Sequence, residues 1–247
     1  MGRMPLTATT TPRTTATTAA LDTLTVPGRA TLSLTQVLLL CGAIAGPLFI
    51  VTVLIQDLTR PGFNPGLQPL SLLALGSWGW VQIANFVLAG ALNLLFAVGL
   101  WRRLHPGRAG TWGPLLIGVY GLGLVVVGVC RTDPAEGFPP GVRAVTHPSW
   151  HGAVHALGAG IIFLVLAAAL AVFVRFFLTW KQWRWALYCL ASAVLLLGFF
   201  IGGMVHPTLT GGFLQLGVLC GWMAASVIAI RLVSAPDPVR SLRDGRP

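Results

Sequence analysis

The fold is decided by residues 150–174, which read WHGAVHALGAGIIFLVLAAALAVFV and contain no Asp, Glu, Lys or Arg. An α-helix needs about 20 apolar residues to cross a hydrocarbon layer of ~30 Å. Because lipid offers no partners for backbone N–H and C=O groups, a segment of this kind has to be a helix and not a strand. We therefore predict a transmembrane helix in this stretch.

The same pattern recurs along the chain, at residues 36–56, 78–100, 112–130, 184–205 and 212–233. Of all 247 residues, 55% are hydrophobic and only 9% are charged, whereas a soluble domain carries about 25% charged residues. This composition excludes a soluble globular protein. The sequence predicts an all-α fold, a polytopic membrane bundle of six transmembrane helices over residues 35–233.

Both ends of the chain differ from this bundle. Residues 1–34 are rich in Thr and poor in apolar side chains, which predicts a disordered tail because little surface can be buried there. Residues 234–247 form a short basic tail. The first apolar run begins near Gln36, too far from the amino terminus for a secretory signal peptide, so we expect it to be retained as a helix.

The distribution of basic residues predicts the orientation. Of the 16 Lys and Arg, 13 fall on the side of the two tails and of the second and fourth connections, and only Arg60, Arg131 and Arg143 fall on the other side. By the positive-inside rule both termini are cytoplasmic and the protein lies in the cell membrane. The net charge of +10 is then a topology signal, so we expect the lipid bilayer as partner and no nucleic acid.

One pair of histidines stands out at the start of the fourth predicted helix. His151 and His155 are four residues apart, so they share a helix face at about 6 Å, a spacing that lets two imidazoles meet one ion. A metal needs further ligands, and those at compatible depth are His147, His206 and Asp133. Three interpretations remain open: structural hydrogen bonds, a metal or haem site, and proton-linked ligand binding.

A polar stripe on the second predicted helix suggests a ligand pocket. Gln82, Asn85 and Asn93 recur at helical spacing and face one side. Asn93, deep in the helix, is expected to bond to a neighbouring helix. The residues that could line an extracytoplasmic pocket are Asp57, Asn64, Gln82, Asn85, Asp133 and Gln215.

Glycine pairs at four-residue spacing predict close helix contacts, since small residues let backbones approach in lipid. The pairs are Gly42 and Gly46, Gly198 and Gly202, and Gly217 and Gly221. Packing within the bundle is the expected use, and an oligomer contact is the alternative. The four cysteines are scattered one to a segment without metal-ligand spacing.

The usual signatures of hydrolases, nucleotide motors and zinc proteases are missing from the sequence, so enzymatic activity stays open. Three functions are considered. The first is binding or passing a lipid or small apolar ligand in a pocket open to the extracytoplasmic side. The second is a metal- or haem-dependent membrane enzyme that uses the His and Asp residues. The third is a structural or partner-binding subunit.

Several motifs carry a resemblance to a known family. They are RPGFN at 60–64, LS at 70–71, GSWGWVQIANF at 76–86, TDP at 132–134 and GFPPG at 137–141. With them the chain resembles a bacterial and archaeal membrane family known only as domain of unknown function 998, in which His also occurs at the positions of His151 and His155. The resemblance implies a six-helix bundle and brings no established activity. Family members often carry an acid after the Ser of the first long loop, where this chain has Leu72.

Overall fold

A computed structural model describes residues 32–234, and these residues form helices without any strand. Six helices are long and apolar enough to cross a membrane, which confirms the predicted fold class. The helices are α1 (Leu34–Thr59), α2 (Gly79–Leu104), α3 (Arg108–Val129), α4 (Trp150–Thr179), α5 (Trp183–Val205) and α6 (Thr210–Ser234). Short 3₁₀ helices, Leu70–Ala74 and Pro207–Leu209, lie in two of the connections.

The helices extend beyond several of the apolar runs that predicted them. α3 begins at Arg108 instead of residue 112, and α4 continues to Thr179 instead of residue 174. Hydropathy marks only the part of a helix that matches the hydrocarbon layer, while the helix itself continues into the interface. The predicted tails, residues 1–34 and 234–247, lie almost entirely outside the described residues.

The six helices form a closed ring in chain order. Each helix packs against its neighbours in sequence, and α1 closes the ring by packing against α6. Three of the five connections are short and favour this arrangement, because they force the helices that they join to lie antiparallel and adjacent. The centre of the ring holds stacked and tilted aromatic rings. Phe49 lies 5.1 Å from Trp222 and 5.4 Å from Phe86 between ring centroids.

Most of the predicted glycine pairs are used inside this ring. A Cβ atom on Gly46 would lie 2.5 Å from the Ser226 hydroxyl and 2.9 Å from the Trp222 carbonyl oxygen, so α1 and α6 touch closely there. Gly217 and Gly221 face side chains of α4 and α5. Gly198 has open space around it. The glycine pairs of α1 and α6 therefore serve contacts between helices within the ring.

The two long loops, residues 60–78 and 130–149, cover the same end of the ring, called the loop end below. Arg60 donates a hydrogen bond to the Leu75 carbonyl and lies 5.6 Å from the centre of the Phe138 ring. Gln68 donates to the Glu136 carbonyl at 2.7 Å. These contacts tie one loop to the other across the mouth of the bundle.

The opposite end is called the basic end. It carries the connections α2–α3 and α4–α5. Lys181 lies in the second connection, and the adjoining helix ends carry Arg102, Arg103, Arg108 and Arg184. Its aromatic residues include Trp185, whose ring lies 5.7 Å from the Arg231 guanidinium. Trp side chains at this level fit a membrane interface.

Candidate functional site

A cavity lies at the centre of the ring, toward the loop end. Every helix contributes to its wall, and Pro69, Leu70 and Ser71 contribute from the loop above. Its volume is about 80 Å³. This is several times the roughly 10–15 Å³ that one water molecule needs in the same measure. The lining is mainly aliphatic and aromatic, as in most small-molecule sites.

His155 is the key polar group of this wall. Its Nδ1 lies 2.8 Å from the carbonyl oxygens of both Val127 and Cys130. These carbonyls belong to the C-terminal end of α3, where a helix leaves its last C=O groups without partners. A carbonyl oxygen only accepts hydrogen bonds, so Nδ1 carries the proton and donates it. In the neutral ring Nε2 is then an acceptor.

No protein partner remains for that acceptor among the residues that the structure describes. His155 is only 4% exposed, yet it lines the cavity. Its ring also packs edge-on against Phe86, with 6.4 Å between ring centroids. The imidazole is thus held in place on one side and presents a free lone pair in an apolar chamber.

Two hydroxyl groups share this chamber, and sequence reasoning missed both. Tyr120 from α3 is 4% exposed and lines the cavity, and its ring lies 5.6 Å from the Trp222 ring. Ser71 lines the cavity from the loop side. Neither hydroxyl has a hydrogen-bond partner within residues 32–234. A signal for Tyr120 was available, since a tyrosine in the middle of an apolar run is a polar group at bilayer depth.

The start of α4 forms a separate polar cluster. Ser149 is its N-cap and accepts a hydrogen bond from the Gly152 N–H at 3.0 Å. Asp133 accepts from the Ser149 hydroxyl at 2.6 Å and from the Ser149 N–H at 2.8 Å. These two hydrogen bonds hold the pKa of the Asp133 carboxyl below its ordinary value. His151 donates to the Arg131 carbonyl at 2.9 Å.

These contacts are those of a capped helix tied to the preceding loop. The Ser149 hydroxyl donates to the carboxylate and accepts from the helix backbone, which is the role of an N-cap. His151 and His155 both use Nδ1 on backbone carbonyls. The arrangement corresponds to the structural interpretation of the histidine pair, with the free Nε2 of His155 in addition.

Of the five residues predicted as metal ligands, only Asp133 and His151 share a cluster, on either side of the Ser149 hydroxyl. His147 is exposed in the loop, and His206 lies at the end of α5, where its ring stacks on Phe213. Within residues 32–234 no group of three or more His, Cys, Asp or Glu could hold a metal ion.

The residues predicted for a ligand pocket lie around the cavity instead of in its wall. Gln215 on α6 donates to both carboxylate oxygens of Asp57 on α1, at 3.1 and 3.3 Å. Asn64 forms a turn in the loop, where its side-chain oxygen accepts from the Gly66 N–H at 3.0 Å. Asp133 belongs to the N-cap cluster of α4.

Gln82 and Asn85 join α2 to α1. The Gln82 side-chain oxygen accepts from Gln56 at 2.8 Å and from Asn85 at 3.3 Å, and Asn85 also donates to the Phe49 carbonyl at 3.2 Å. The expectation of an interhelical bond was wrong for Asn93, which donates to the Ala89 carbonyl of its own helix at 2.8 Å. α2 and α3 approach closely at this level, where a Cβ atom on Gly121 would lie 3.1 Å from the Asn93 Cβ.

Comparison with known proteins gives a family and no activity. The family model described as "Protein of unknown function (DUF998)" matches residues 43–235, which span α1 to α6. No curated protein and no solved structure matches the chain. Because the matched segment covers most of the sequence and includes α2 to α6 and most of α1, this multi-pass membrane protein belongs to the DUF998 family.

Proposed function

We propose that the central cavity binds a small apolar ligand, or the apolar end of a lipid, that carries a hydroxyl group. The observation that carries this proposal is the fixed tautomer of His155, whose free Nε2 accepts a hydrogen bond inside an apolar chamber. A hydrogen bond from a ligand O–H to Nε2 contributes about 0.5–1.5 kcal/mol net, and a pure hydrocarbon cannot form it.

The rest of the wall supports the same ligand class. Tyr120 and Ser71 offer further hydroxyl groups, and the apolar lining disfavours an ionic group without a partner. The volume of about 80 Å³ suits a short alkyl segment or a small ring. Binding a hydroxylated apolar molecule from the membrane needs no metal ligand set.

The experiment uses 6-bromohexan-1-ol and 1-bromohexane, because bromine quenches the fluorescence of a nearby indole and Trp222 lines the cavity. We expect the full-length protein to bind the alcohol about 2- to 10-fold more tightly than the bromoalkane, the value of one hydrogen bond. A Trp222→Phe variant identifies the responding indole. His155→Asn and Tyr120→Phe test the two polar groups.

The preference for the alcohol should disappear in His155→Asn, which lacks the Nε2 acceptor, and should decrease in Tyr120→Phe. Equal affinities for alcohol and bromoalkane in the unmodified protein would refute the proposal. So would an unchanged preference in the His155 variant. A Gly198→Ala variant serves as control, since its position on α5 has open space and lies outside the cavity wall.

We propose further that the loop end is extracytoplasmic and that both termini are cytoplasmic, in the cell membrane of a bacterium. The distribution of 13 basic residues on one side and 3 on the other supports this orientation. Impermeant thiol reagents on single-cysteine variants in the loops 60–78 and 104–108 would test it. Labelling of the second loop, but not the first, in intact cells would reverse the orientation.

A further inference from the structure

A groove lies on the lipid-facing surface between α1 and α6, near the loop end. Ile50, Val53 and Leu54 line it from α1, and Leu216 and Leu219 line it from α6. Pro65 and Gly66 of the first loop close its upper end. Its volume is about 370 Å³, and Leu54 and Leu216 are 51% and 46% exposed. The groove is therefore open to the bilayer along its length.

Helix packing explains why a groove forms at this place. α1 and α6 touch closely at Gly46, where even a Cβ atom would collide with α6. Beyond Pro47, toward the loop end, bulkier residues of α1 face α6. The Asp57–Gln215 hydrogen bonds join the two helices again at the end. Between these two contacts the helices leave room for a narrow apolar guest.

A carboxyl group that is hydrogen-bonded to the groove residue Gln215 has no cationic partner in the described part of the chain. Asp57 lies in the last turn of α1, where the helix dipole is negative and disfavours a carboxylate. Both of its oxygens accept from the Gln215 amide, which also lines the groove. Among the described residues no Lys or Arg forms an ion pair with this carboxylate. A cation from outside the protein would stabilise it.

We infer that the groove binds a membrane phospholipid with an ammonium headgroup, namely phosphatidylethanolamine. One acyl chain lies along the leucine and valine side chains, and the ammonium group contacts Asp57 at the depth of the headgroups. This site is distinct from the central cavity. Leu70 and Val218 line both spaces and form the partition between them.

The test places the full-length protein in nanodiscs with phosphatidylethanolamine or phosphatidylglycerol that carry the same diazirine-bearing acyl chain. After irradiation, adducts are mapped by mass spectrometry. We expect them to concentrate on Leu216 and Leu219, relative to Leu157 and Leu164, which are exposed on α4 outside the groove. The ethanolamine lipid should give about two- to fivefold more groove adducts than the glycerol lipid, as expected for a partly exposed ion pair.

Two variants make the test specific. Gly212 lines the groove, and a Cβ atom there meets its nearest neighbour at 3.7 Å, so a side chain can start at this position and we expect Gly212→Phe to fill the groove. Its matched control is Gly198→Phe, at a position with open space. Groove adducts should fall to the level of the α4 residues in Gly212→Phe only. Asp57→Asn, which can still accept from Gln215, should abolish the preference for the ethanolamine lipid.

An even distribution of adducts over α4 and α6, or equal adducts in the two glycine variants, would overturn the groove site. Equal labelling by the two lipids would overturn the headgroup assignment. The cavity is tested separately by bromohexanol. If the protein shows groove adducts but no preference for the alcohol, only the proposed function is refuted. If it prefers the alcohol but shows no groove adducts, only this inference is refuted.

Discussion

Replacing His155 by Leu should destabilise the bundle by removing the N–H that joins α4 to the end of α3. Nδ1 lies 2.8 Å from the carbonyl oxygens of Val127 and Cys130, and leucine offers no donor to them. The two carbonyls share this one N–H in a three-centre hydrogen bond. Removing the donor from buried acceptors costs about 1–3 kcal/mol.

The matched variant is His155→Asn. The asparagine amide nitrogen stands near the position of Nδ1 and can still donate to the α3 carbonyls, while the Nε2 acceptor is absent. We therefore expect His155→Asn to retain most of the stability and to lose the preference for the alcohol. The two variants separate the structural role of the imidazole from its role toward a ligand.

The assay is thermal unfolding of the purified full-length protein in detergent, followed by circular dichroism. A change of 1 kcal/mol moves the Tm by about 2–4 °C in a chain of this size. His155→Leu should therefore melt about 2–12 °C below the unmodified protein, and His155→Asn much closer to it. If the leucine variant melts like the unmodified protein, or if both variants fall equally, the assignment of Nδ1 as the donor is wrong.

Three further predictions follow from the packing and the charges. Asp133→Asn should lower the Tm more at pH 7 than at about pH 2, because the pKa of Asp133 is lowered in the folded state. Its contribution is therefore complete above the ordinary pKa value of 3.8 and is lost progressively as the pH falls from there through the lower folded-state pKa; an equal difference at both pH values would contradict this. Gly46→Leu should cost more than 2 kcal/mol, roughly, by overpacking against the α6 backbone, whereas Gly198→Leu should melt like the unmodified protein; similar Tm values for the two variants would contradict the close α1–α6 contact. Gln56 and Gln82 each leave one buried polar atom without a partner. Replacing both by Leu should therefore be neutral or stabilising, whereas either single replacement should cost about 1–3 kcal/mol. Additive losses in a double-mutant cycle, measured by thermal unfolding, would contradict this prediction.

The sequence determined how deep in the membrane each residue lies. Runs of apolar residues long enough to span a bilayer predicted six helices, and the structure has them, with α3 and α4 longer at one end. Asp57 and Gln215, which the same argument placed in the extracytoplasmic half, are hydrogen-bonded to each other in the structure. Depth is readable because it depends on the local hydropathy of one segment and on the thickness of the hydrocarbon layer.

Only the tertiary structure decided which residues face each other across the ring. In the structure Nδ1 of His155 donates to carbonyls of α3, and Gln82 and Asn85 lie at the contact with α1. Tyr120, Ser71 and Trp222 line the cavity. Helix order and rotation depend on the shapes of side chains that lie far apart in the chain, such as Gly46 against Trp222. In lipid these contacts are selected by close packing and not by hydrophobicity, so the periodicity of a single helix carries no information about its partner.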